Sequence, residues 1–186
     1  MAISGEPTLQ QLAAEVRQLR DRQDILDCIN RYGRGLDRLD AELIRDAFHP
    51  DAIDSHGAFV GGVDEFVTWA LDVERPHRLT HHGITSHNCE VDGDQAHAES
   101  YVIFFVVTQD GKTVQGGGAR YIDRLERRAG QWRIVVRRVL FDWTFKVPFA
   151  ETMSPEWMRD APRRDHGDAS YERPLHIPPE LLKPAK

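Results

Sequence analysis

Residues 80–143, THHGITSHNCEVDGDQAHAESYVIFFVVTQDGKTVQGGGARYIDRLERRAGQWRIVVRRVLFDW, decide the fold. They read as four long strands, 80–91, 95–108, 113–128 and 131–143. The turns between them are Asp92-Gly93-Asp94, Asp110-Gly111 and Ala129-Gly130. Consecutive strands joined by short Asp/Gly turns make an antiparallel meander. Upstream the period changes. Ile25, Ile29, Tyr32 and Leu36 recur at helical spacing within a helix that Thr8 can cap and that runs to about Asp37. Ahead of them Leu9, Leu12, Val16 and Leu19 form a narrower seam suited to a partner helix. Between the two stripes Arg17, Arg20, Asp21, Arg22 and Asp24 read as a solvated face, and Gly33 and Gly35 weaken the helix near its end.

A second helix is expected from Asp40 through Leu43, Ile44, Ala47 and Phe48, stopping at His49-Pro50. An extended pair follows at 52–55 and 58–60 around Gly57. A third helix opens at Asp64, carries Phe66, Val67, Ala70 and Leu71, and ends before Pro76. Helices first and sheet second is an α+β arrangement: a curved antiparallel sheet with three helices across its open side, which leaves a blind pocket. The chain divides into an N-terminal helical arm (1–18), the α+β domain (19–143) and a C-terminal tail (144–186). Seven of the ten prolines lie between Pro148 and Pro184, so the tail reads as an irregular segment wrapping the domain or a neighbour, with one short helix at Pro155–Arg159 capped by Ser154.

The 186 residues are 40% hydrophobic and 29% charged, enough to bury a core. The net charge of -6 argues against a general nucleic-acid or anionic-membrane binder. The longest apolar run, Tyr101 to Val107, is far short of the ~20 residues of a membrane-spanning helix. The start MAISGEPTLQ lacks the pattern of a secretory signal, and two cysteines make no disulfide framework. The expectation is a soluble, reduced, cytoplasmic protein that binds neither nucleic acid nor membrane. The Leu9–Leu19 seam and the tail point to a homo-oligomer.

Five of the nine histidines (His77, His81, His82, His87, His97) crowd into one stretch. Side chains alternate along a strand, so His82, Ile84 and Ser86 share one face while His81, Thr85 and His87 share the other. One of His81 and His82 therefore points into the pocket; His77, His87 and His97 are read as surface residues. No HExxH or HxH set supports a metal site. Asp37 ends the apolar helical stripe, where an inward carboxylate needs a partner. Either Arg137 or Arg138 must face the covered side of the last strand, as an anion-binding group or as a salt bridge to the helices.

RQDILDCINRYGRGLD (22–37), the histidine strand with its VDGD turn, GGGARYIDRLERRAGQWRI (116–134) and FDW (141–143) resemble the SnoaL-like branch of the nuclear-transport-factor-two-like superfamily. Its catalytic members include scytalone dehydratase, bile acid 7α-dehydratase and hexachlorocyclohexane dehydrochlorinase. The resemblance spans about Leu19 to Trp143. It implies a pocketed cone, no cofactor, no metal and commonly a trimer. It places the family's helix aspartate on Asp37, a catalytic tyrosine on Tyr32 and the catalytic histidine on His82, with Ser86 four residues on and His81 as the alternative register. The dehydrochlorinase arginine falls on Arg137, while one relative's second-strand carboxylate falls near Phe104 and is missing. The function implied is a cofactor-independent lyase, a dehydratase or similar β-elimination by an Asp–His general base on a small hydrophobic cyclic or polycyclic substrate. A proton-transfer isomerase and a non-catalytic ligand-binding or dioxygenase small-subunit-like module are the alternatives.

Overall fold

The structure is a computed structural model describing residues 6–150, 152–154 and 156–182. Helix α1 runs unbroken over Leu9–Arg38 and is opened by a capping box between Thr8 and Gln11. Its apolar stripe Ile25, Ile29, Tyr32 and Leu36 is buried, whereas Leu9, Leu12, Val16 and Leu19 are exposed. Asp21 is buried too, correcting the solvated-face reading: it accepts hydrogen bonds from Trp132 Nε1 (3.0 Å) and Arg127 (2.6 Å) and ties α1 to the last hairpin. The helix tolerates Gly35 because α2 (Ala41–Asp46) lies against it. A Cβ there would sit 2.7 Å from the Ile44 side chain and 2.9 Å from its backbone nitrogen.

Helix α2 ends sooner than expected. Phe48 opens strand β1 (Phe48–His56), which turns at Gly57 into β2 (Phe59–Gly62) and then α3 (Val63–Glu74). The meander β3 (His77–Asp92), β4 (Gln95–Thr108), β5 (Thr113–Arg128) and β6 (Gln131–Pro148) pairs antiparallel throughout. β6 runs five residues past Trp143, because the start of β5 offers it partners as far as Thr113↔Pro148. The sheet is mixed rather than purely antiparallel: its order is β2-β1-β6-β5-β4-β3, and β1 lies parallel to β6. The result is a curved, unclosed six-stranded α+β cone, with three helices across its concave face.

Beyond Pro148 the described residues are irregular apart from one 3-10 turn at Ala169–Tyr171, capped by Asp168. Of the short helix expected at Pro155–Arg159, Pro155 lies outside the described residues and 156–158 form a turn. The tail then folds back on its own domain. His166 Nε2 (2.9 Å) and the Tyr171 hydroxyl (2.7 Å) reach Asp40, the cap of α2; Arg38 pairs with Asp168, and the Arg34 guanidinium lies over the Tyr171 ring.

Candidate active site

Between the helices and the sheet lies a cavity of about 380 Å³ whose walls are mostly aromatic and aliphatic. Its polar groups come from separate elements. Asp37, in the last turn of α1, is buried with both oxygens engaged. Oδ1 accepts from His82 Nδ1 (2.8 Å) and the Thr80 hydroxyl (3.0 Å), and Oδ2 accepts from the His82 backbone N–H (3.1 Å). A carboxylate only accepts, so Nδ1 is the protonated nitrogen, and in the neutral ring Nε2 is the one left with a lone pair. Gly33 faces His82, and a Cβ there would stand in ordinary van der Waals contact, 3.5 Å from the His82 Cβ. The His82 ring stacks on Phe104, centroids 6.3 Å apart. His81 is exposed on the other face of β3.

Alternation fails further along the strand. The pairing shifts between Ile84 and Ser86, a bulge that leaves Ser86 exposed and turns His87 inward to a 2.8 Å hydrogen bond with the Ser100 hydroxyl. His87 is thus half-buried, not a surface residue, and burial lowers its pKa. His77 is likewise not at the surface but lines the cavity. His97 is exposed as expected.

Tyr32 lines the cavity, is wholly buried, and its hydroxyl has no hydrogen-bond partner. Burial, then the neighbouring Tyr121, raises its pKa well above the ordinary tyrosine value. Arg137 does not reach the cavity surface. It is paired across β5 and β6 with Asp123, which takes both its Nε and Nη2 at 2.7 Å, and its guanidinium sits in the corner between the perpendicular rings of Tyr32 and Tyr121, 4.2 Å from each ring centre. Burial opposes that charge, but Asp123 outweighs burial and keeps the group firmly protonated. Arg138 is exposed.

Three further contributors carry no local sequence signal. Glu74, at the end of α3, places Oε1 4.0 Å from His82 Nε2. Arg164 of the tail donates to the carbonyls of Leu36, Asp37, Glu74 and His77 and to the Thr80 hydroxyl, and lies 3.6 Å from Glu74 Oε2. It pins the ends of α1 and α3 and the start of β3 together beside the Asp37–His82 pair. His56 of β1 enters the cavity from the far side of the sheet order, with Asp54 behind it. Among the described residues no three His, Cys, Asp or Glu side chains converge to hold a metal, and no helix is long and apolar enough to cross a membrane.

Residues 17–138 match the profile of the SnoaL-like domain, about two thirds of the chain. The chain belongs to the SnoaL-like family. Solved structures share its fold. A point variant of Rv3472 from Mycobacterium tuberculosis, a protein of unknown function, is 29% identical with a TM-score of 0.61 over 68% of this chain and 74% of that one. The hexachlorocyclohexane dehydrochlorinase LinA-type3 from Novosphingobium barchaimii is 19% identical, TM-score 0.64, over 75% and 97%. A protein from Novosphingobium aromaticivorans provisionally assigned as a scytalone dehydratase is 18% identical, TM-score 0.64, over 74% and 92%. Comparison with curated protein sequences found no match.

Proposed function

We propose that this SnoaL-like protein is a lyase that carries out β-elimination, a dehydration or its halide equivalent, on a small hydrophobic cyclic or polycyclic substrate, using only side chains of the chain itself. The observation that carries the reading is the 2.8 Å contact between Asp37 Oδ1 and His82 Nδ1 at the wall of an apolar cavity. The carboxylate fixes the tautomer and favours the imidazolium that forms when Nε2 takes a proton from a substrate carbon. The neighbouring C–O or C–halogen bond breaks as the double bond forms. The Tyr32 hydroxyl, having no protein partner, is free to donate to a carbonyl oxygen as charge builds there. Arg137 would act through that tyrosine: a cation 4.2 Å from the ring centre stabilises negative charge growing on its oxygen.

The test is hydrogen–deuterium exchange at the α-carbons of 2-tetralone in D2O. Wild type should accelerate it, and Asp37→Asn or His82→Gln should slow it by about 10²–10⁴-fold. Exchange undiminished in both variants overturns the reading. The same base and the same unpartnered Tyr32 donor would serve an isomerase; deuterium retained in a rearranged product, with no water or halide released, decides for that chemistry. Self-association through the exposed Leu9–Leu19 seam, as a trimer, is part of the proposal and is checked by light scattering.

A further inference from the structure

Hydroxide is a poor leaving group, and neither Asp37 nor His82 can protonate it in the step in which they remove a proton. A second histidine of the cavity, His56, also has a carboxylate behind it. Asp54 and His56 sit two residues apart on β1 and so share a face. Asp54 is 1% exposed, yet neither of its oxygens has a hydrogen bond; His56 Nδ1 makes an ion-pair contact with it at 3.3 Å, and the buried Arg137 is its register partner on β6. A carboxylate buried without donors is costly unless a cation compensates it. His56, whose Nδ1 is buried against that carboxylate, lines the same cavity as His82. Two rings bridge the histidines: His82 lies 6.3 Å from Phe104, Phe104 6.1 Å from Phe141, and Phe141 6.0 Å from His56, centre to centre. Phe104 and Phe141, set edge to face, carry one stretch of cavity wall from His82 to His56, so both histidines face the same substrate space.

We propose that His56 is the catalytic acid for the leaving group and that Asp54 is its positioning residue; the proposal rests on the elimination reading above. The proton on the substrate carbon goes to His82 Nε2, and the C–H electron pair becomes the new double bond. The C–O bond breaks with its pair on oxygen, which takes the His56 Nε2 proton and departs as water. His82 then holds the proton that His56 has lost, and exchange with solvent resets both.

Leaving-group dependence tests this, because chloride departs without a proton. With β-hydroxycyclohexanone and β-chlorocyclohexanone as probes, His56→Gln should slow water loss by about 100-fold or more while chloride loss and α-proton exchange stay within about threefold of wild type. Asp54→Asn should show the same selective loss, which a merely structural role would not produce. Equal loss for the two leaving groups, or undiminished water loss in His56→Gln, overturns the proposal; if His82→Gln still abolishes exchange, the base reading survives that failure. A wild type that exchanges no α-proton of either ketone overturns both.

Discussion

The two Asp–His pairs beside the cavity are built on opposite principles. Asp37 receives three hydrogen bonds, and its surroundings are further braced by Arg164, which reaches across from the tail. Asp54 is more deeply buried and receives none, only the ion-pair contact of His56. A saturated carboxylate holds one tautomer and one ring orientation, as a base requires. A carboxylate that accepts no hydrogen bond from its histidine leaves that ring free to give up a proton to a leaving group. The contrast separates a group held for its lone pair from one held for its proton.

Removing the brace should have the largest effect on stability. Arg164→Ala strands Glu74 and four backbone carbonyls, and should lower the unfolding free energy by about 3 kcal/mol in urea titrations. Asp37→Asn should cost about 2 kcal/mol by the same measurement, since hydrogen bonds to a charged acceptor are lost. Acid should undo the docking of the tail. Burial alone would raise the pKa of Asp40, but the Tyr171 hydroxyl, the Leu43 N–H and His166 outweigh it and hold the group below the ordinary 3.8. A depressed folded value means the stabilisation is complete above 3.8 and lost as pH falls through the folded value. Pepsin cleavage between His166 and Tyr171 should therefore appear only on acidification below that point. Asp54→Asn should change stability by under about 1 kcal/mol in either direction, because no hydrogen bond is lost. If it costs as much as Asp37→Asn, the two pairs are equivalent and the contrast is wrong. The smallest shift belongs to Tyr32→Phe, under about 0.5 kcal/mol by thermal melting, since the hydroxyl removed has no partner.

The residues carry different amounts of this on their surface. The stripe Ile25, Ile29, Tyr32, Leu36 and the Asp/Gly turns are local signals, and the helix and the four long strands follow from them with small errors at their ends. Asp37 is legible as a candidate because it ends that stripe; strand alternation leaves His81 and His82 open, and the family resemblance is what prefers His82. His87 defeats the alternation rule because a bulge at Thr85 resets it, and a bulge depends on how β3 pairs with β4. Asp54 and His56 give no signal. An Asp-Ser-His triplet in a short extended segment is ordinary at a surface, and only the parallel docking of β1 on β6 buries it.

Amino-acid order alone thus determined the α+β class, the meander and the covered helix face, because periodicity and turn chemistry act over a few residues. Tertiary structure decided which arginine is buried and what claims it, that the tail returns Arg164 to the ends of α1 and α3, and that a second cavity histidine has a carboxylate behind it. Those contacts join residues from 14 to 128 positions apart, or depend on which strand lies beside β1. No local pattern encodes them; they form only when the sheet curves and the chain closes over it.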